Sequence, residues 1–76
     1  MDKLIYSKDH INLAKQLKLA RIEANLDQKE VAKILNKTQS YISKIESGQR
    51  KIDIVQIKIF AEIYKKNVNF FIDKNL

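Results

Sequence analysis

The segment from Gln28 to Glu46, QKEVAKILNKTQSYISKIE, constrains this chain more than any other stretch. Apolar residues recur in it at helical spacing twice. Val31, Ala32 and Leu35 form one inward stripe, and Ile42 and Ile45 form another, in keeping with the i, i+3, i+4 rule for one buried helix face. Between them stand Asn36, Lys37 and Thr38. Asn36 comes after the first stripe, where a chain often has to enter the left-handed region, and asparagine tolerates that better than most residues. Thr38 is a good N-cap for a helix carrying the second stripe. The spacing therefore predicts two short helices meeting at a sharp turn, with Ala32 small where steeply crossed helices approach closely. The outward positions of the second helix are Gln39, Ser40, Ser43 and Lys44, hydrogen-bonding side chains with almost no apolar content. A helix presenting Gln, Ser and Lys beside basic flanks suits a DNA major groove.

Composition narrows the alternatives. With 76 residues the chain is expected to be a single domain over 1–76, with a modest core over about 9–72 and a short N-terminal extension, 1–8. It has no Pro and one Gly, so no flexible linker interrupts it. It has no Cys and one His, which excludes a disulfide framework, a thiolate metal site and a zinc finger. Apolar runs are far too short for a membrane span, and the N-terminus lacks the long apolar stretch of a signal peptide. A cytoplasmic protein is the default. The formal net charge of +6 fits a partner such as nucleic acid, an anionic membrane or an acidic protein. Lys37, Lys44, Arg50 and Lys51 stand against Glu46 alone, so much of that charge lies in and beside the second helix. Composition alone fits a solvated Lys-rich surface equally well, and it is the clustering that favours a nucleic-acid partner.

The remaining elements read as helices, giving an all-α fold of five helices and no strands. The first is expected over about Asp9 to Ala24, capped by Ser7 or Asp9, with Ile11, Ala14, Leu17 and either Ala20 or Ile22 inward. Asp27 with Glu30, and Asp53 with Gln56, have capping-box spacing and open the second and fourth helices. Gly48 is the expected stop of the third. The fourth runs from Ile54 to about Tyr64 with Ile57, Phe60 and Ala61 inward. Asn67 caps a short fifth helix over Val68 to Ile72. His10 has no acidic partner in the pattern and reads as a surface residue. No arrangement of nucleophile and base or paired carboxylates is visible, so the chain is not expected to be an enzyme and no cofactor, metal or small-molecule ligand is expected.

Taken with its flanks, the segment resembles the helix-turn-helix of the lambdoid phage repressor and Cro superfamily, the XRE-type regulators. The flanks are Leu17-x-x-x-Arg21 before it, Glu46-Ser47-Gly48 and Arg50-Lys51 after it, and Ile57-x-x-Phe60-Ala61 beyond. The likeness covers roughly Lys15 to Ile72. The chain departs from the usual pattern at Asn36 and Asn25, where the family commonly has Gly, and at Lys65-Lys66, where it has Gly-Val. The resemblance implies a repressor-like domain that binds double-stranded DNA. It also implies that Arg21 and Glu46 form an ion pair bracing the first helix against the end of the third, and that Gln28 touches a backbone phosphate. A helix N-terminus supports the same reading of Gln28.

Within that frame Gln39, Ser40, Ser43 and Lys44 are the base-reading candidates. A Gln amide can bond adenine N6 and N7 in bidentate fashion, and Lys44 can reach guanine or a phosphate. Gln28, Lys37, Thr38, Tyr41, Ser47, Arg50 and Lys51 are the phosphate candidates. Both chain ends are unusually apolar: Leu4, Ile5 and Tyr6 at one, Tyr64, Phe70, Phe71 and Ile72 at the other. The second group is read as a homodimer surface, because large exposed apolar patches mark contacts. The function expected is sequence-specific regulation, as a repressor on a palindromic operator with half-sites about 34–36 Å apart. An antitoxin with a toxin partner, a restriction–modification controller, or a protein-interaction module that has lost DNA binding are the alternatives. A basic helix lying on a membrane fits poorly, since the periodic apolar positions are used by a core.

Overall fold

In the computed structural model, which describes residues 8–72, the chain forms four α-helices, with no strand among those residues. They are α1 (Lys8–Glu23), α2 (Gln28–Leu35), α3 (Gln39–Glu46) and α4 (Ile54–Tyr64). The expected fifth helix is only a 3₁₀ turn, Val68–Phe70. Asn67 caps it by accepting from the Asn69 N–H, and the Phe70 and Phe71 N–H groups then bond carbonyls three residues back, at Asn67 and Val68. Bonding at that spacing gives the tighter helix, which rarely runs further. Ser7 as a cap, and the apolar Leu4, Ile5 and Tyr6, fall outside the described residues.

Both helix starts that carry a capping box in sequence carry one in space. The Asp27 carboxylate accepts from the Glu30 N–H while Glu30 accepts from the Asp27 N–H, each at 2.8 Å. Asp53 and Gln56 repeat the exchange at the start of α4. Thr38 opens α3 by accepting from the Tyr41 N–H at 3.1 Å. The helix ends share one device. Asn25, Asn36, Gly48 and Lys65 come after the four helices in turn, all at positive φ between 56° and 82°. Each N–H bonds the carbonyl three residues back, and the next N–H reaches the carbonyl five back, as in Lys37 to Ala32 and Lys66 to Ala61, both 2.8 Å. This is the Schellman closure, and it satisfies the orphan carbonyls of a helix end. The three departures from the family pattern thus fall on left-handed positions, and the backbone geometry is kept without glycine.

Leu17, Ala20, Val31, Ala32, Ile42, Ile45, Ile57, Phe60, Ala61, Tyr64 and Phe71 form one buried cluster. α2 packs on α3, α1 on α3 and α4, and the 3₁₀ turn on α4. The segment after α4 also runs back along α1. Lys66 pairs with Glu23 at the C-terminal end of α1, and Phe71 and Ile72 line a hollow with Asp9 and His10 at its N-terminal end. α1 differs from its sequence reading at Ile11 and His10, and of Ala20 and Ile22 it is Ala20 that faces inward. Arg21 faces inward beside Ala14, Leu17 and Ala20, which turns Ile22 outward (52% exposed) and leaves Ile11 41% exposed. His10 is half-buried rather than on the surface, its Nε2 lying 3.2 Å from the Gly48 carbonyl oxygen. No helix among the described residues is long and apolar enough to cross a membrane.

Candidate nucleic-acid interface

α3 is short, and its core side is defined by Ile42, Ile45 and Glu46, all buried. Gln39, Ser40, Ser43, Lys44 and Ser47 are exposed together on the opposite side. At about 100° per residue they occupy one continuous arc of the helix surface. All four base-reading candidates therefore share one face. Among the phosphate candidates, Lys37 and Thr38 lie in the turn before that helix, and Arg50 and Lys51 in the loop after it.

A chain of polar contacts fixes this face to the rest of the domain. Gln39 Nε2 donates to Gln28 Oε1 at 3.2 Å. Gln28 Nε2 donates in turn to Glu46 Oε1 at 3.1 Å. Glu46 accepts two bonds from Arg21, from Nε at 2.7 Å and Nη2 at 3.1 Å, and Arg21 Nη1 reaches the Leu26 carbonyl at 2.9 Å. Arg21 thus ties α1, the first interhelix loop and the end of α3 together. The bonded Glu46 carboxylate raises the Arg21 pKa, opposed by burial. Burial also pushes the Tyr64 phenol well above its ordinary range, with Glu46 reinforcing the shift and Arg21 opposing it. The side chain of Gln28 is bonded at both ends, so what it can offer a phosphate is the second N–H of Nε2 and its backbone N–H. Gln39 spends one N–H on Gln28 and keeps its carbonyl and second N–H, a donor and acceptor side by side.

A second cluster surrounds Tyr41, which is half-buried. The Lys37 ammonium lies 5.2 Å from the ring centroid and the Arg50 guanidinium 4.7 Å from it. Gln56 Nε2 donates to the Tyr41 hydroxyl at 2.7 Å. Tyr41, Lys37 and Gln56 border a cleft of about 220 Å³ whose apolar walls are Leu35, Ile59 and Phe60.

The helix-turn-helix family profile matches residues 17–71, most of the chain. The chain belongs to the XRE-type helix-turn-helix regulators. No curated protein matches it closely. As a helix-turn-helix regulator it is a DNA-binding transcriptional regulator, with α2 and α3 as the two helices of the motif.

Several site residues stand differently from their sequence reading. The Ser47 hydroxyl donates to the Lys44 carbonyl at 3.2 Å, so its proton serves the helix end. The Thr38 oxygen is used as a cap and leaves only its proton to offer. Tyr64 and Phe71, read as dimer surface, are core residues at 3% and 5% exposure. Phe70 is half-buried, edge-on to Phe71 and under the Lys66 ammonium, and Ile72 is exposed. The short 3₁₀ turn allows Phe71 to drop into the core while Ile72 stays out. Two residues near the interface were not among the candidates. Lys18 on α1 borders the hollow formed by Gln28, Ser43, Glu46 and Ser47. Gln56 reads in sequence only as a capping residue; nothing there points to Tyr41, fifteen positions away.

Proposed function

We propose that this helix-turn-helix protein is a sequence-specific repressor that binds a palindromic operator as a homodimer. What carries the reading is the arc of Gln39, Ser40, Ser43 and Lys44 on α3, exposed, free of apolar side chains and braced from behind through Gln28, Glu46 and Arg21. Gln39 presents the donor–acceptor pair that fits adenine in the major groove. Lys37, Arg50 and Lys51 lie at the two ends of α3 and supply affinity through phosphates. Ser40 and Ser43 add short polar contacts, and Lys44 reaches guanine or a phosphate beyond them.

One such helix reads one half-site, so specificity over a full operator requires two copies. The apolar side chains left outside the core support pairing: Val55 and Ile59 on one stripe of α4, and Ile72 beyond the 3₁₀ turn. Pairing uses Ile72 with the half-buried Phe70, and not the core residues Tyr64 and Phe71. Protein concentration then sets occupancy of the operator.

The base-reading role is tested by Gln39→Ala. The expected outcome is a loss of about 1–3 kcal/mol in discrimination between operator and random DNA, with non-specific affinity nearly unchanged. Equal losses on both duplexes would mean that Gln39 acts only through Gln28 and the stability of α3.

A further inference from the structure

The cluster around Tyr41 is more ordered than a phosphate contact by loose surface lysines requires. Lys37 precedes α3 and Arg50 lies beyond its far end, yet both are held against one ring. Gln56 comes from a third element, the first turn of α4. Its Oε1 accepts from the Asp53 N–H at 3.0 Å, so the amide cannot be flipped and its NH₂ must face Tyr41. The Tyr41 oxygen is therefore an acceptor toward Gln56, and its own proton is left to donate elsewhere. Two cations lie over the ring that carries this hydroxyl, and Lys37, Tyr41 and Gln56 line one cleft with Leu35, Ile59 and Phe60. A hydroxyl donor beside two cations selects an anion.

We propose that Lys37, Arg50 and the Tyr41 hydroxyl form a single seat for one DNA backbone phosphate, and that Gln56 is the positioning residue that aims the hydroxyl into it. The proposal rests on the DNA-binding reading above and adds to it a residue outside the helix-turn-helix motif. Tyr41 does two jobs in the seat. Its ring gathers two like charges that would otherwise diverge, through cation–π attraction. Its hydroxyl supplies a neutral, directed bond. Gln56 touches no phosphate; it acts through Tyr41 alone, and through the same capping box that starts α4 it links the seat to the core.

The test is a double-mutant cycle on the full chain with a random-sequence duplex as the probe, read by fluorescence anisotropy across a salt series. Tyr41→Phe and Gln56→Met are each expected to weaken binding by about three- to ten-fold at fixed salt, the scale of one directed hydrogen bond. Neither removes a cation, so the salt slope stays unchanged, whereas Arg50→Gln lowers it by about one. In the Tyr41→Phe background Gln56→Met is expected to add no further loss. Gln56→Met also removes a cap contact, but that cost to α4 is the same in both backgrounds. Equal losses from Gln56→Met in both backgrounds, or full affinity in Tyr41→Phe, would overturn the seat while leaving DNA binding intact. A wild-type protein that bound no duplex would overturn the DNA-binding reading itself.

Discussion

Arg21 and Glu46 sit almost wholly out of solvent, with side-chain exposures of 10% and 4%. Two charges taken out of water are costly, and here every bond that offsets the cost is made within a few ångströms. Removing one partner leaves the other charge buried and unpaired. Glu46→Ala or Arg21→Ala is therefore expected to cost about 3–5 kcal/mol in urea unfolding. The apolar double variant, Arg21→Met with Glu46→Leu, is expected to lose less than either single. A double variant as unstable as the sum of the singles would mean that the two side chains contribute independently. The pair itself was legible through the family likeness. The bond from Gln28 was not, because two polar residues eighteen positions apart carry no periodic signal.

At the level of elements, the chain uses the same closure four times, and three of the four residues that make it advertise the fact. Gly48, Asn25 and Asn36 are ordinary left-handed residues, and the sequence marks all three as turn positions. Lys65 at φ 56° is not, since lysine carries a Cβ and no side-chain acceptor to offset the crowding. It marks a position where glycine would relieve strain at little cost to the folded contacts, as its side chain is exposed. Lys65→Gly is expected to raise stability by about 1 kcal/mol, measured as a shift in urea midpoint at unchanged m-value. A lower midpoint would mean that the lysine makes contacts worth more than the backbone strain. Helix starts were more legible than ends: Asp27, Thr38 and Asp53 each cap a helix where their spacing predicts one. The 3₁₀ turn was not legible, because five residues beginning at Val68 have helical spacing too short to decide between the two hydrogen-bond patterns.

For the whole molecule, the split between core and surface over Phe70 to Ile72 separates folding from the proposed pairing. Phe71→Arg places a charge in the buried cluster that also holds Leu17, Ile57 and Phe60 and is expected to unfold the domain. Ile72→Arg changes an exposed residue and is expected to leave the circular dichroism melt unchanged while abolishing dimer formation in sedimentation. An Ile72→Arg protein that still dimerised would move the pairing surface to Val55 and Ile59 on α4. Most of the core was readable from periodicity, since Val31, Ala32, Ile42, Ile45, Ile57, Phe60 and Ala61 all face inward as spaced. Phe70 to Ile72 was not, because three consecutive large apolar residues fix that one projects but not which. The proposed function turns on α3 reading a symmetric DNA site through the face that Gln28, Glu46 and Arg21 hold in place. Selection of duplexes from a random pool by the full chain measures that directly. The expected product is an inverted repeat whose half-sites are centred about 10–10.5 base pairs apart, or a multiple of it, with adenine or guanine enriched at fixed positions. A pool that gains affinity without any recurring sequence, or enriches a single unpaired half-site, would contradict it.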